Sequence, residues 1–465
     1  MHMRDIALKV LCNILSIWPW AYGLVGCGSG GGGLPQQEGV RGRPWWQAPG
    51  LGIMYQIEYR PGYDWERDYT EFNKTLMDAE GRIDFPGPFC NIAEWVALSE
   101  HTHADYHIFE LKWHDGICYF NTALTDWKTD IDYGRLFADL SRAVPIPFMF
   151  YYSSVFDHNP QFDAIQPNPH STMSYIGLER SGVYKEYLRG QFQEIMDQYT
   201  PDGMWMDWYM PMEGATAATV SFFKEYYPGT VLAFNAANLI PPAWGQLHYT
   251  SGEAHKLDGA WVKIVNLNGR TLPIFESCWK WATFNRRVLK HPWELVTPGG
   301  KWWQDPSLRD DPYDLVRMAA IVMANGGRLC VGVTSQMDGS IYPDQIRQLE
   351  ILGDWYGPRK SIFNASVPIS SVTEQPAGIR VNPPGFRILA SNYVGDVLLH
   401  VINMDGSVGP VTIELTGEKW QGARQACLEP YRLELPLDKY SGITTITLGR
   451  DQTDSIDTLV RIHGL

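Results

Sequence analysis

Eight short apolar runs, separated by amphipathic stretches, constrain the fold of this chain more than any other feature of its sequence. The runs are GIMYQIEY (52–59), YHIFELK (106–112), IPFMFYY (146–152), GMWMDW (203–208), VLAFN (231–235), LHYTSGE (247–253), PIFESC (273–278) and RLCVGV (328–333). Between several of them lie EWVALSEHTHA, YGRLFADLSRA, YKEYLRGQFQEIMDQY, TAATVSFFKEYY and DLVRMAAIVMAN, and DQIRQLEILGDWY follows the last. Strands alternating with helices imply a parallel sheet, and eight such units imply an α/β fold, a (β/α)8 (TIM) barrel, over 51–362. Helical patterning is missing or irregular around 236–272, so the expected barrel is somewhat distorted. Past that point the period shortens. GIRVNP, FRILASNY, DVLLHVINM, VTIEL and TTITLG are separated by Gly, Pro, Asn and Asp, which predicts a C-terminal antiparallel β-sandwich over 363–465.

The N-terminus has a different character. MHMRDIALK carries positive charges, and VLCNILSIWPWAYGLVG then runs 17 residues without a charge. Its Pro and Gly argue against a spanning helix, and the pattern predicts a signal peptide over 1–26. Leu24-Val25-Gly26-Cys27 resembles a bacterial lipobox, and GSGGGG after it opens a flexible tether over 27–50. The expectation is an exported protein lipidated at Cys27, touching a membrane only through that anchor. Gly28 lacks the Asp that signals inner-membrane retention, which directs the expectation to the outer membrane or periplasm. The other cysteines past Cys27 are widely spaced with no CxxC, so neither a disulfide framework nor a zinc site is signalled.

Composition narrows the partners. Acidic residues outnumber basic ones by 52 to 38 with no basic cluster, which argues against nucleic acid. The chain holds 19 Trp, and indoles suit the flat apolar faces of sugars. In a (β/α)8 barrel the chemistry sits at the C-terminal ends of the strands. Those ends carry Glu58, His114-Asp115, Tyr151-Tyr152, Asp207, Asn235, Glu253 and Glu276. Two carboxylates flanking a sugar, one nucleophilic and one acidic, are the minimum kit for glycoside hydrolysis with retention, and no nucleotide loop, HExxH or GxSxG elbow competes.

Four segments carry a family resemblance: ADYHIFELKWHDGICYFNT, PFMFYYSS, YTPDGMWMDWY and ANGGRLCVGVTSQMDGSIYPDQIRQLEILGDWYG. In order and rough spacing they resemble the α-L-fucosidases of glycoside hydrolase family 29, as a divergent member. The resemblance implies a retaining exo-α-glycosidase that needs no cofactor or metal and releases terminal fucose from a fucosylated oligosaccharide or polysaccharide. It implies Asp207, at the end of the PDxxWxD-like strand, as nucleophile. Glu253 in SGEAH matches the family's acid/base segment, and Glu276 in FESC is the alternative. Gln56, Glu58, Trp113, His114, Tyr151, Tyr152 and Trp208 are the expected sugar contacts.

The chain departs from the family pattern in three places. Gln56 stands where the family has a sugar-contacting His, Trp113 replaces the first His of KHHDG, and a family Arg is lost around Asn235-Ala236-Ala237-Asn238. A site built to bond a hydroxyl discriminates strongly, so these changes keep a second sugar open, such as an α-L-galactoside. A glycan-binding lipoprotein without turnover is the alternative from another class.

Overall fold

In the computed structural model the described residues are 43–57, 90–165, 175–209, 214–235, 245–253, 291–300, 311–336, 338–369, 376–406 and 409–465, with Ala237, Ala243, Cys278, Ala282, Asn285, Arg286 and Trp303 between them. The signal peptide and Cys27, like Glu58 and Glu276, lie outside the described residues.

Eight parallel strands close in chain order: β1 (Gly50–Gln56), β2 (Tyr106–Lys112), β3 (Phe148–Ser153), β4 (Gly203–Asp207), β5 (Val231–Phe234), β6 (Tyr249–Glu253), β7 (Trp293–Pro298) and β8 (Arg328–Thr334). β8 returns to β1, in register from Gly50 opposite Arg328 to Gln56 opposite Thr334. Side chains alternate across each strand, so one face fills the barrel and the other meets the helices. Tyr106 and Ile108 face inward with Met54, Met149, Tyr151, Trp205 and Tyr249. Phe109 and Leu111 face outward, against Trp95 and Phe137. Each such large apolar side chain contributes about 1.5–3 kcal/mol on full burial.

The outer layer holds α1 (Ile92–His101), α2 (Tyr133–Ser141), α3 (Tyr175–Arg180), α4 (Gly182–Tyr199), α5 (Ala215–Tyr226), α6 (Asp314–Ala324) and α7 (Pro343–Tyr356). Asp132 caps α2 by accepting from the Arg135 amide at 2.8 Å, and Ser181 caps α4 by accepting from Tyr184. Caps of this kind are worth about 1 kcal/mol each. Among the described residues no helix separates β5 from β6, in line with the irregular patterning there.

The seventh strand is not where the sequence predicts it. Trp293–Pro298 fills that place, pairing with β6 and β8, rather than PIFESC at 273–278. The reason is an inward glutamate. Glu294 breaks the apolar alternation of WELVTP, yet it is fully buried in the barrel. There it accepts hydrogen bonds from Tyr106, from Trp205 Nε1 at 2.8 Å and from Ser251 at 2.7 Å. A buried carboxylate is tolerated when its lone pairs are satisfied in this way. Below this knot the barrel is stoppered by the segment before β1: Trp45 packs on Tyr106 at 5.2 Å, and Trp46 meets His248 edge-on at 5.2 Å.

The C-terminal part is antiparallel. One sheet has four strands and the other six, and their inward residues share a core that includes Ile388, Leu399, Ile413, Leu415, Ile446 and Val460. It packs on the barrel through α8 (Lys360–Ala365), where Phe363 stacks on His400 at 5.5 Å, and through a 2.8 Å ion pair between Arg359 and Asp454.

Candidate active site

At the C-terminal rim, β4 ends on Asp207, which is 7% exposed. Its polar contacts come from Tyr151, His114, Asn235 and Trp208. Oδ2 accepts from Tyr151 at 2.6 Å and lies 3.3 Å from His114 Nε2. Oδ1 accepts from Asn235 at 2.8 Å and from the Trp208 amide at 3.0 Å. Trp208 turns that amide back because its backbone is left-handed, with φ 56°. Such a conformation is strained for a bulky residue, and strain of this kind gathers at functional sites.

Glu253 ends β6 across the mouth. Its Oε1 accepts from the same Asn235 amide at 2.5 Å, and its Oε2 from Trp303 Nε1 at 3.4 Å. One amide nitrogen thus holds both carboxylates. Their environments pull them apart in acidity. Burial pushes the Asp207 carboxyl up, but the bond and charge of His114 and the bonds from Tyr151 and Asn235 outweigh it, so it sits below the usual aspartate range. Burial first, and the Asp207 charge second, push Glu253 up to about 7 against the opposing bonds from Asn235 and Trp303. A carboxylate kept ionised beside one kept protonated near neutrality is the arrangement that runs nucleophilic and acid chemistry in one site.

The loop after β2 supplies the rest. The Trp113 ring stacks on His114 at 5.1 Å, and His114 Nδ1 lies 2.7 Å from Ser153. The turn needs Gly116, at φ 78°, because a Cβ there would lie 2.3 Å from the Asp157 carboxylate. Asp157 in turn pairs with Lys112, both fully buried, and the Lys112 ammonium sits 4.3 Å over the Tyr152 ring. Gln56 ends β1 with its Oε1 buried and without a hydrogen-bond partner in the protein. That oxygen and the Trp303 ring both flank Gly332.

Of the expected contacts, Asp207, Glu253, His114, Tyr151, Gln56, Trp113 and Trp208 fall on this rim. Tyr152 does not. It follows Tyr151 on β3, so alternation turns it out of the barrel into the helical layer, where its hydroxyl donates to Gln191. Two residues carry more than the sequence signalled. Asn235 was legible only as the end of VLAFN, and its role emerges once two carboxylates meet on it. Trp303 had no signal beyond the KWW in which it sits.

Among curated proteins, no sequence matches this chain. Solved structures do. Alpha-L-fucosidase isoenzyme 1 from Paenibacillus thiaminolyticus is 19% identical, with a TM-score of 0.64 over 90% of this chain and 97% of its own. Thermotoga maritima alpha-fucosidase in complex with fucose is 18% identical, with a TM-score of 0.63 over 90% and 96%. An alpha-L-fucosidase from Bacteroides thetaiotaomicron, trapped as a covalent intermediate with 2-fluoro-fucosyl fluoride, is 14% identical, with a TM-score of 0.59 over 90% and 94%. These likenesses establish the fold. The family is fixed by sequence, since the family model described as Alpha-L-fucosidase matches residues 54–359. With a closed parallel barrel, a carboxylate pair at its mouth and that match over most of its length, the chain belongs to the α-L-fucosidase family of glycoside hydrolases, family 29.

Proposed function

We propose that the chain is a retaining exo-α-glycosidase that releases terminal α-L-fucose from glycans, with Asp207 as nucleophile and Glu253 as acid/base. The Asn235 bridge carries this reading. Its bonds of 2.8 and 2.5 Å keep the nearer oxygens of the two carboxylates no more than about 5.3 Å apart, which favours a double displacement over an arrangement with room for an inverting water. In the first step the Asp207 carboxylate bonds to the anomeric carbon while the bond to the leaving oxygen breaks, and Glu253 gives that oxygen its proton. In the second, water gives a proton to the Glu253 carboxylate as its oxygen bonds to the anomeric carbon. The ester bond breaks and Asp207 leaves as the anion. The covalent intermediate trapped in the Bacteroides relative supports the same course.

A second reading, a related sugar such as an α-L-galactoside, is favoured by Gln56. Its buried, unpartnered Oε1 is an acceptor for a substrate hydroxyl where the family carries a histidine. One experiment separates the two: release of p-nitrophenol from the aryl α-L-fucoside and the aryl α-L-galactoside by the same enzyme, beside Asp207→Asn. Turnover of the fucoside that the substitution abolishes supports the first reading. Turnover of the galactoside alone supports the second, and sugar binding without turnover of either would sink both.

The sequence also supports export with a lipid on Cys27. Metabolic labelling with palmitate, lost in Cys27→Ala, is the expected result.

A further inference from the structure

We propose that Ser153 is a positioning residue: it fixes a proton on Nδ1 of His114, so that every proton His114 gains or loses is exchanged at Nε2, the atom facing Asp207. Ser153 ends β3 and is fully buried. Its hydroxyl lies 2.6 Å from the Phe156 carbonyl oxygen and 2.7 Å from His114 Nδ1. A carbonyl oxygen only accepts, and a hydroxyl holds a single proton. That proton goes to Phe156, because any other placement sets lone pairs against each other at 2.6 Å. Ser153 is then left with lone pairs toward His114, so Nδ1 must be the donor.

The consequence appears at the other side of the ring. His114 Nε2 is 3.3 Å from Asp207 Oδ2, an oxygen that already accepts from Tyr151. While Nε2 is protonated, it presents an N–H and a positive charge to the carboxylate. When that proton leaves, the locked tautomer turns a lone pair on the same oxygen. A neutral imidazole free to choose would move its remaining proton to Nε2 and keep the bond, and Ser153 denies it that choice. Among the described residues, these contacts bring to the ring the charged and titratable groups Asp207 on β4 and, one hydrogen bond further, Tyr151 on β3 and Glu253 on β6 through Asn235. The ring's aromatic neighbours, Trp113 and Phe156, carry no charge.

In the chemistry above, Asp207 is the attacking group in the first step and the leaving group in the second. A donor at Oδ2 stabilises the departing carboxylate, so loss of the Nε2 proton slows breakdown of the ester. This kinetic arm rests on Asp207 being the nucleophile, whereas the tautomer does not.

The test is the imidazole 15N spectrum of the full chain labelled at histidine, titrated with pH, with His114 assigned by its loss in His114→Gln. The neutral form of His114 is expected to carry its proton on Nδ1, and Ser153→Ala to move it to Nε2. A neutral wild-type ring protonated on Nε2, or no change in Ser153→Ala, overturns the proposal; if that variant does not fold, the wild-type spectrum decides alone. In the kinetic arm the substrate is α-L-fucosyl fluoride, whose leaving group does not need the Glu253 proton. As pH is raised, wild-type kcat should fall about tenfold relative to Ser153→Ala, the value of one charged hydrogen bond, because Glu253 acts as base in both and only the wild type loses the donor at Oδ2. A ratio that does not change with pH overturns that kinetic role. No turnover of the fluoride by any variant would instead count against the proposed function, and the spectrum would still decide the role of Ser153.

Discussion

Two carboxylate clusters sit at different heights in one barrel and are treated in opposite ways. In the closed interior, Glu294 is surrounded by Tyr106, Trp205 and Ser251, donors from three other strands that satisfy it within the protein. At the rim, Asp207 and Glu253 share a single amide, and their environments drive their acidities apart. Residue chemistry is nearly the same in both clusters. Their difference lies in whether two carboxylates must share one donor. A carboxylate with donors of its own is part of the architecture, whereas a pair bound to one shared donor, with acidities driven apart, has protonation states left for a reaction.

The sharpest way to break this contrast is at the rim. Asp207→Ala should lower kcat by at least about 10^4-fold while far-UV circular dichroism stays unchanged. Added azide should give the β-L-fucosyl azide from this variant and the α anomer from Glu253→Ala, as a retaining pair requires. Glu253→Ala alone should lose about 10^2 to 10^4-fold on substrates with poor leaving groups, and far less on activated aryl fucosides. Equal losses on both kinds of substrate would remove Glu253 from the acid role and return Glu276 to it.

The interior should respond in stability instead. Glu294→Leu leaves three buried donors without their acceptor and should cost about 3–5 kcal/mol in urea unfolding, while the folded fraction keeps most of its activity. Asn235→Ala is the intermediate case. It removes a bond that lowers the Glu253 pKa, so the alkaline limb of kcat/KM should move above the wild-type value near 7. The smallest effect is a stability change with pH. Glu253 has its folded pKa raised from 4.5 to about 7, so the folded state holds an extra proton between those values. Its contribution is full below pH 4.5 and lost as pH rises through 7. Glu253→Gln should therefore raise the melting temperature more at pH 8 than at pH 5.

The same contrast explains what could be read from the sequence. The strand ending on Asp207 was visible because GMWMD alternates cleanly into an aromatic-flanked carboxylate, and Glu253 was visible as the end of a short polar strand. β7 was hidden because its inward position is a glutamate, and the donors that make Glu294 tolerable come from strands distant in sequence. Tyr151 and Tyr152 are adjacent and chemically identical. Only the phase of the strand decides which one meets Asp207, and the uniformly apolar run IPFMFYY has no alternation that would fix that phase. Asn235 and Trp303 matter through distances between separate elements, which no linear pattern encodes.

The stopper below the barrel has a practical consequence. Trp45 rests on Tyr106, Tyr106 holds Glu294, Glu294 holds Trp205, and Trp205 stacks at 5.3 Å on Tyr151, which donates to Asp207. An expressed chain starting at residue 50 would keep all eight strands but lose the floor tile of this column. Solvent would then reach the underside of the Glu294 knot, and hydration would creep toward Asp207 from the end of the barrel opposite the rim. Shortened versions of this enzyme should begin ahead of Arg43.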